Sequence, residues 1–136
     1  MQMCTYLTFD GRCEAAFDFY ARLFGGRVTS VTRRRDVPGT EDDFPGWGDK
    51  MIHAELVVGD NLLMGSDAPP PHFEGLMGFS VQIDLADPAE GERIFEALAE
   101  GGEVGMPFAE TFWATRFGTV VDRFGVPWML NCGRKA

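Results

Sequence analysis

The chain is short of positive charge: 12 Lys and Arg stand against 21 Asp and Glu in 136 residues, a net charge of −9. A surface of that sign repels phosphate backbones, so nucleic acid is not an expected partner. Cysteine is scarce as well. Cys4, Cys13 and Cys132 are odd in number and form no CxxC pair, which argues against a disulfide framework or zinc site and for small buried thiols kept reduced. No apolar run approaches the roughly 20 residues that a membrane-spanning helix needs, so no membrane partner is expected. Met1 to Tyr6 lacks the basic and long apolar stretches of a secretion signal, which points to the cytoplasm. GxSxG and P-loop motifs are missing too, removing the nucleophile elbow and the common phosphate cradle from consideration.

What the chain does have is a repeat. Phe19 to Gly25-Gly26 recurs as Phe95 to Gly101-Gly102, an offset of 76 residues. In each copy a strand-like run precedes a helix-like run, the glycine pair stops the helix, and further strand-like runs follow. A duplication of this size implies two packed modules, and with 45% hydrophobic residues and 12 Phe there is enough apolar surface for a core.

Residues 3–9 read as the first strand and 14–24 as a helix, with Ala16, Phe17, Tyr20, Leu23 and Phe24 at three- and four-residue steps. Gly25-Gly26 supplies its stop. Residues 27–34 read as an edge strand, 36–50 as a long Pro-, Gly- and Asp-rich loop, and 51–58 as a strand joined through Gly59-Asp60-Asn61 to another at 62–66. The triple proline at 69–71 marks a linker, 68–76, between module one (1–67) and module two (77–132). Module two repeats the order: a strand at 77–85, a helix at 87–99 capped by Asp87-Pro88, then strands near 103–112, 115–122 and 126–132. The fold class is α+β, two βαβββ modules. Arg33-Arg34-Arg35, flanked by Asp36 and Glu41-Asp42-Asp43, reads as a solvated strand end, with a local anion contact as the alternative.

Several segments carry a family resemblance: Tyr6-Leu7-Thr8-Phe9-Asp10-Gly11, Ala16-Phe17-Asp18-Phe19-Tyr20, Phe24-Gly25-Gly26, Met51-Ile52-His53-Ala54-Glu55-Leu56, Leu63-Met64-Gly65-Ser66-Asp67, Glu110-Thr111-Phe112-Trp113 and 122–131. Together they span nearly the whole chain and resemble the vicinal oxygen chelate superfamily, which includes glyoxalase I, bleomycin-resistance proteins and extradiol dioxygenases, and within it the PhnB-like branch. The resemblance implies curved mixed sheets around a cleft, usually in a homodimer. In metal-using members it also implies four cleft ligands, on the first and fourth strands of each module, holding a divalent ion that acts as Lewis acid. Carried onto this chain, those positions fall near Thr5, at Met64, at Gln82 within 78–82, and at Met129. Thioethers are poor partners for such ions, so no metal quartet and no cofactor are expected. Such proteins are sometimes labelled methyltransferases of quinone biosynthesis, but no glycine-rich strand-to-helix loop is present to hold S-adenosylmethionine.

Other polar residues stand as candidates. His53 and Glu55 are two apart on a strand and share a face. They can serve as general base and orienting carboxylate, as half of a shifted metal site, or as a hydrogen-bonded pair lining a pocket or a dimer contact. Trp113, Arg116, Phe117, Asp122, Arg123 and Trp128 combine aromatic rings with a few polar groups, the makeup of a small-molecule pocket and equally of a core or interface. Arg123 is read as serving its turn through Asp122. Phe44 and Trp47 in the long loop are placed to act as a lid, and His72 in the linker is expected to be exposed. The leading expectation is a cleft that binds a small molecule or supports a metal-independent reaction. The alternatives are a metal-dependent lyase or dioxygenase using displaced His53, Glu55 and Gln82, or a dimeric interaction module.

Overall fold

The computed structural model of the protein describes residues 1–40 and 44–134; the acidic run 41–43 lies outside them. The chain divides into two compact units, Met1–Gly75 and Leu76–Ala136, with the boundary inside the predicted linker. In the first unit the order is β1 (Thr5–Phe9), α1 (Cys13–Phe24), β2 (Arg27–Arg33), β3 (Met51–Val58) and β4 (Asn61–Asp67). The second repeats it with β5 (Val81–Leu85), α2 (Pro88–Ala99), β6 (Glu103–Ala109), β7 (Ala114–Val121) and β8 (Pro127–Arg134). Each unit forms one four-stranded sheet, β1-β4-β3-β2 or β5-β8-β7-β6. The first strand pairs parallel with the last and the remaining pairs are antiparallel, which is the βαβββ order read from the repeat.

One face of each sheet carries the helix. Leu7, Phe9, Ala54 and Leu56 are buried with Ala16, Phe17, Tyr20 and Leu23 of α1, as alternation along a strand and a 3.6-residue helical stripe together require. Gly65 makes the contact possible: a Cβ there would lie 2.8 Å from the Phe17 ring. In the second unit Ile94, Phe95 and Leu98 are buried with Val120, Trp128, Leu130 and Cys132, and Gly118 makes room for Phe95 in the same way. Helix ends follow the sequence signals. Gly25 closes α1 in the left-handed region at φ +69, and the Asp87 carboxylate accepts from Ala89 N–H at 3.0 Å with Pro88 beside it.

Three boundaries depart from expectation. The strand predicted at 77–85 begins only at Val81, because Gly78 at φ +82 turns the chain before it. The strand predicted at 103–112 stops at Ala109, and Thr111 closes a turn with Ala114 through both its backbone N–H and its hydroxyl. The strand predicted at 27–34 ends one residue early, so the arginine run straddles its end: Arg33 closes β2 and Arg34–Asp36 form a short 3-10 turn after it. Arg33 meets Glu14 at 2.5 Å and donates to the Asp49 carbonyl, and within the turn Arg35 pairs with Asp49 and Arg34 lies 5.3 Å from the Phe44 ring centroid.

Buried carboxylates anchor both units. Asp67, at the end of β4, accepts from Gly11 and Cys13 N–H at one oxygen (3.0 and 2.9 Å) and from Met51 N–H at the other (2.9 Å). Asp122 accepts from Phe124 and Val126 N–H at one oxygen and from the Trp128 indole N–H at the other. Burial, with the Asp67 charge next, pushes the Cys13 thiol far above its usual range, and burial also raises Cys132. Cys4 is exposed.

Replacing Asp67 with Ala leaves three backbone donors without their acceptor. At roughly 1–3 kcal/mol for each buried group left unpaired, partly relieved by water, Asp67→Ala is expected to lower stability by about 3 kcal/mol in urea unfolding; a loss below about 1 kcal/mol would show that the carboxylate is dispensable. A thiol-titrating reagent should react rapidly with one cysteine in the native protein, Cys4, and with all three only after denaturation.

Candidate functional site

Register decides which side chains meet on the face of the first sheet turned away from α1. Directly paired residues project to the same side, and Tyr6 pairs with Met64, which in turn pairs with Glu55. Tyr6, Met64 and Glu55 therefore form one row across β1, β4 and β3, with His53 two residues from Glu55 on the same face. Tyr6 reaches across β4: its phenol oxygen lies 3.0 Å from His53 Nδ1, and the two ring centroids are 5.7 Å apart. On the far side of the imidazole, Nε2 lies 3.1 Å from Glu55 Oε1.

This chain of bonds has a direction. An ionised carboxylate only accepts, so His53 Nε2 donates to Glu55; when the ring is neutral, Nδ1 is the acceptor and the Tyr6 phenol donates to it. The Tyr6 proton thus points to His53, and the His53 proton to Glu55. The group is reachable from solvent: Tyr6 is 47% exposed, and the imidazole and the Glu55 side chain are 31% exposed each. Among the described residues no Lys or Arg is paired with Glu55; its partner is the imidazole alone.

Thr5 does not join this row. It sits opposite Leu63, on the same face as buried Leu7 and Phe9, because one step along a strand reverses the side-chain direction. Tyr6 takes the place that the sequence assigned to Thr5. The signal was present in the repeat, since Gln82, read as the second module's first-strand candidate, lies 76 residues beyond Tyr6.

The second unit carries the matching row. Gln82 pairs with Met129, and Met129 with Thr119. Gln82 donates to Asp84 at 3.3 Å, and Met129 borders an open depression of about 370 Å³ that Ser80, Glu103 and Thr119 also line. In the next row Asp84, Asn131 and Phe117 are paired, and the buried Asn131 Oδ1 accepts from no donor among the described residues. Trp113 packs edge-on against both Phe117 (5.2 Å) and the exposed Phe112 (4.7 Å). Arg116 pairs instead with Cys132 in the strand ladder.

Trp128, read as a possible ligand contact, is 1% exposed on the helix side and is held by Asp122; it is a core residue. Arg123 lies over the Phe124 ring at 4.9 Å. The loop aromatics are seated on their own unit: Trp47 beside Gly11 and Lys50, Phe44 edge-on to the exposed His72 at 5.7 Å.

Comparison with known proteins agrees with this fold. The fold is that of the vicinal oxygen chelate superfamily. A glyoxalase/bleomycin resistance protein/dioxygenase domain from Frankia sp. EAN1pec matches over 98% of each chain with a TM-score of 0.68, at 14% identity, a likeness of fold alone. Residues 1–131 match the family described as 3-demethylubiquinone-9 3-methyltransferase, and the chain belongs to that PhnB-like family. Protein PA1353 from Pseudomonas aeruginosa is 45% identical over 98% of each chain, with a TM-score of 0.89. A PhnB protein from Bacillus cereus is 26% identical, covers 98% of this chain and all of its own, and has a TM-score of 0.83. Protein YjdN of Escherichia coli K12 is 34% identical over 96% of this chain and 95% of its own.

The superfamily implies a divalent metal, and the donor set here does not fit one. The rows that would supply ligands hold Tyr6 and Met64 in one unit and Gln82 and Met129 in the other, and thioethers bind hard divalent ions poorly. Among the described residues no three His, Cys, Asp or Glu side chains are grouped to hold an ion. The methyltransferase description implies S-adenosylmethionine, and the strand-to-helix turns do not fit that either: they read Asp10-Gly11-Arg12 and Ala86-Asp87, with one glycine between them.

Tyr6, His53 and Glu55 contribute little to holding the sheet, since exposed polar pairs are worth at most about 1 kcal/mol. Tyr6→Phe and Glu55→Gln should each shift stability by less than about 1 kcal/mol in the same urea assay. A loss as large as that expected for Asp67→Ala would assign the trio to structure instead.

Proposed function

We propose that the open face of the first sheet, centred on Tyr6, His53, Glu55 and Met64, binds a small organic molecule through side chains rather than through the metal quartet of the superfamily. One observation carries this reading. Three polar groups from two strands are joined end to end (3.0 and 3.1 Å) on the sheet face turned away from the helix, half open to solvent, next to a thioether. A surface needing only solubility has no use for a fixed array of this kind, whereas a binding face gains from polar groups already oriented before the ligand arrives. The reading covers binding or sequestration, and a metal-independent reaction on the same face. The alternative of a lyase or dioxygenase with displaced ligands has only the His53–Glu55 pair in its support.

The test is a fragment screen by amide chemical-shift mapping, with metal analysis of untagged protein alongside. At least one fragment is expected to shift Tyr6, His53, Glu55 and Met64 together, and to lose affinity about tenfold in His53→Ala. Fragments that bind only elsewhere would overturn the proposal, as would a stoichiometric divalent ion lost with His53 or Glu55.

A further inference from the structure

The direction of the hydrogen-bond chain restricts what can bind there. With the phenol donating to Nδ1 of the neutral His53 ring, Tyr6 turns only its oxygen lone pairs toward a ligand. With the imidazole proton given to Glu55 Oε1, the carboxylate turns only acceptor sites outward. Met64, between them in the row, adds a weak acceptor and no donor. The hydrogen-bonded trio and Met64 offer a ligand acceptors only, and the hydroxyls of Ser30 and Thr32, paired with Glu55 and His53 on β2, can accept as well, so the molecule that matches this row is a hydrogen-bond donor.

Charge narrows the class further. Glu55 is a part-buried carboxylate whose partner among the described residues is the His53 imidazole, and no Lys or Arg among them is paired with it. The basic residues that are paired in this unit are engaged elsewhere: Arg12 with Asp10, Arg33 with Glu14, Arg35 with Asp49, and Lys50 with the Gly11 carbonyl. An anion would meet the Glu55 carboxylate, to which no Lys or Arg among the described residues is bonded; Arg27, paired with Val57 further along β3, is the nearest cation by register. A protonated amine would gain a charge-assisted bond to the carboxylate and could rest on the faces of the tilted Tyr6 and His53 rings. The protein's net charge of −9 favours its approach over that of an anion.

The two outward acceptors lie at opposite ends of the imidazole, so one ammonium group does not serve both. We infer that the ligand class of this face is a small organic amine with a second donor, a diamine or an amino alcohol, held by Glu55 at its ammonium and by Tyr6 at the other donor. The inference rests on the proposed binding face and specifies what that face selects.

A matched set of four-carbon probes tests it: 1,4-diaminobutane, 1,4-butanediol and succinate, titrated at pH 8 while amide shifts are followed. The diamine is expected to shift Tyr6, His53, Glu55 and Met64 saturably, to bind about tenfold more weakly to Glu55→Gln, and to weaken less in Tyr6→Phe. The diol should bind more weakly, with no dependence on the Glu55 charge, and succinate should leave these residues unmoved. Succinate shifting the same four residues would overturn the amine assignment while leaving the binding face standing. Diamine shifts spread over the acidic surface and unchanged in Glu55→Gln would overturn it too, as diffuse attraction. If the diamine moves none of the four residues the amine assignment fails, and if the fragment screen also leaves them unmoved the binding face fails with it.

Discussion

The arrangement of the first unit depends on one buried carboxylate. Asp67 closes β4 and binds the backbone of the β1–α1 turn, of the first residue of α1 and of the first residue of β3. Two segments distant in sequence, 11–13 and the start of β3, are thereby held at one end of the sheet. With Met51 fixed there, antiparallel pairing sets Ala54 against Gly65 and Glu55 against Met64. A slip of one residue would carry His53 and Glu55 to the helix face and bring Ala54 and Leu56 out to solvent. The polar chain of the candidate site is therefore positioned by a carboxylate it does not touch.

The second unit reaches the same end by a different residue. Asp122 lies between β7 and β8 and gathers two backbone N–H groups and the Trp128 indole, whereas Asp67 ends the strand that corresponds to β8. The duplication thus preserves element order and sheet register while the polar anchors have moved. It also preserves the thioethers, since Met64 and Met129 occupy the same place in their rows. What flanks them differs: Tyr6 and Glu55 on one side of the repeat, Gln82 and Thr119 on the other.

Much of this was legible in the chain. Helix stops at glycine pairs, the Asp87-Pro88 start and the alternation of 51–58 are local signals, and local physics sufficed to read them. His53 and Glu55 were legible as a pair because a spacing of two fixes a shared face without any knowledge of neighbouring strands. Tyr6 was not, because its membership depends on the pairing of β1 with β4 across more than fifty residues, and a one-residue uncertainty on a strand changes the face. That is why Thr5 stood in its place. Trp128 misled for a different reason: an indole beside polar residues looks the same in sequence whether its N–H meets a ligand or a buried aspartate. Asp67 read as the last residue before a linker, since nothing local distinguishes a carboxylate that ends a strand in solvent from one that collects three buried donors.

The resemblance to metal-using vicinal oxygen chelate proteins implies a carboxylate facing the site from the fourth strand of a module. Here that position is Met64, but the negative charge has not left the row. It stands one strand over, at Glu55 on β3, directly opposite the thioether. The displacement changes what the charge can do. On the fourth strand a carboxylate would be one of several ligands converging on an ion. On the third strand it has His53 as its near neighbour, and one of its oxygens is already occupied by the imidazole proton. A single carboxylate, half screened by solvent and shared with a neutral ring, cannot offset the desolvation of a divalent ion, which needs several anionic or strongly donating groups at once. It can match one positive charge of an organic cation whose remaining surface rests on rings and sulfur. The equivalent row of the second unit has Thr119 where the first has Glu55, and the carboxylates on that face, Asp84 and Glu103, stand outside the row, so the two copies of the repeat place their charge differently.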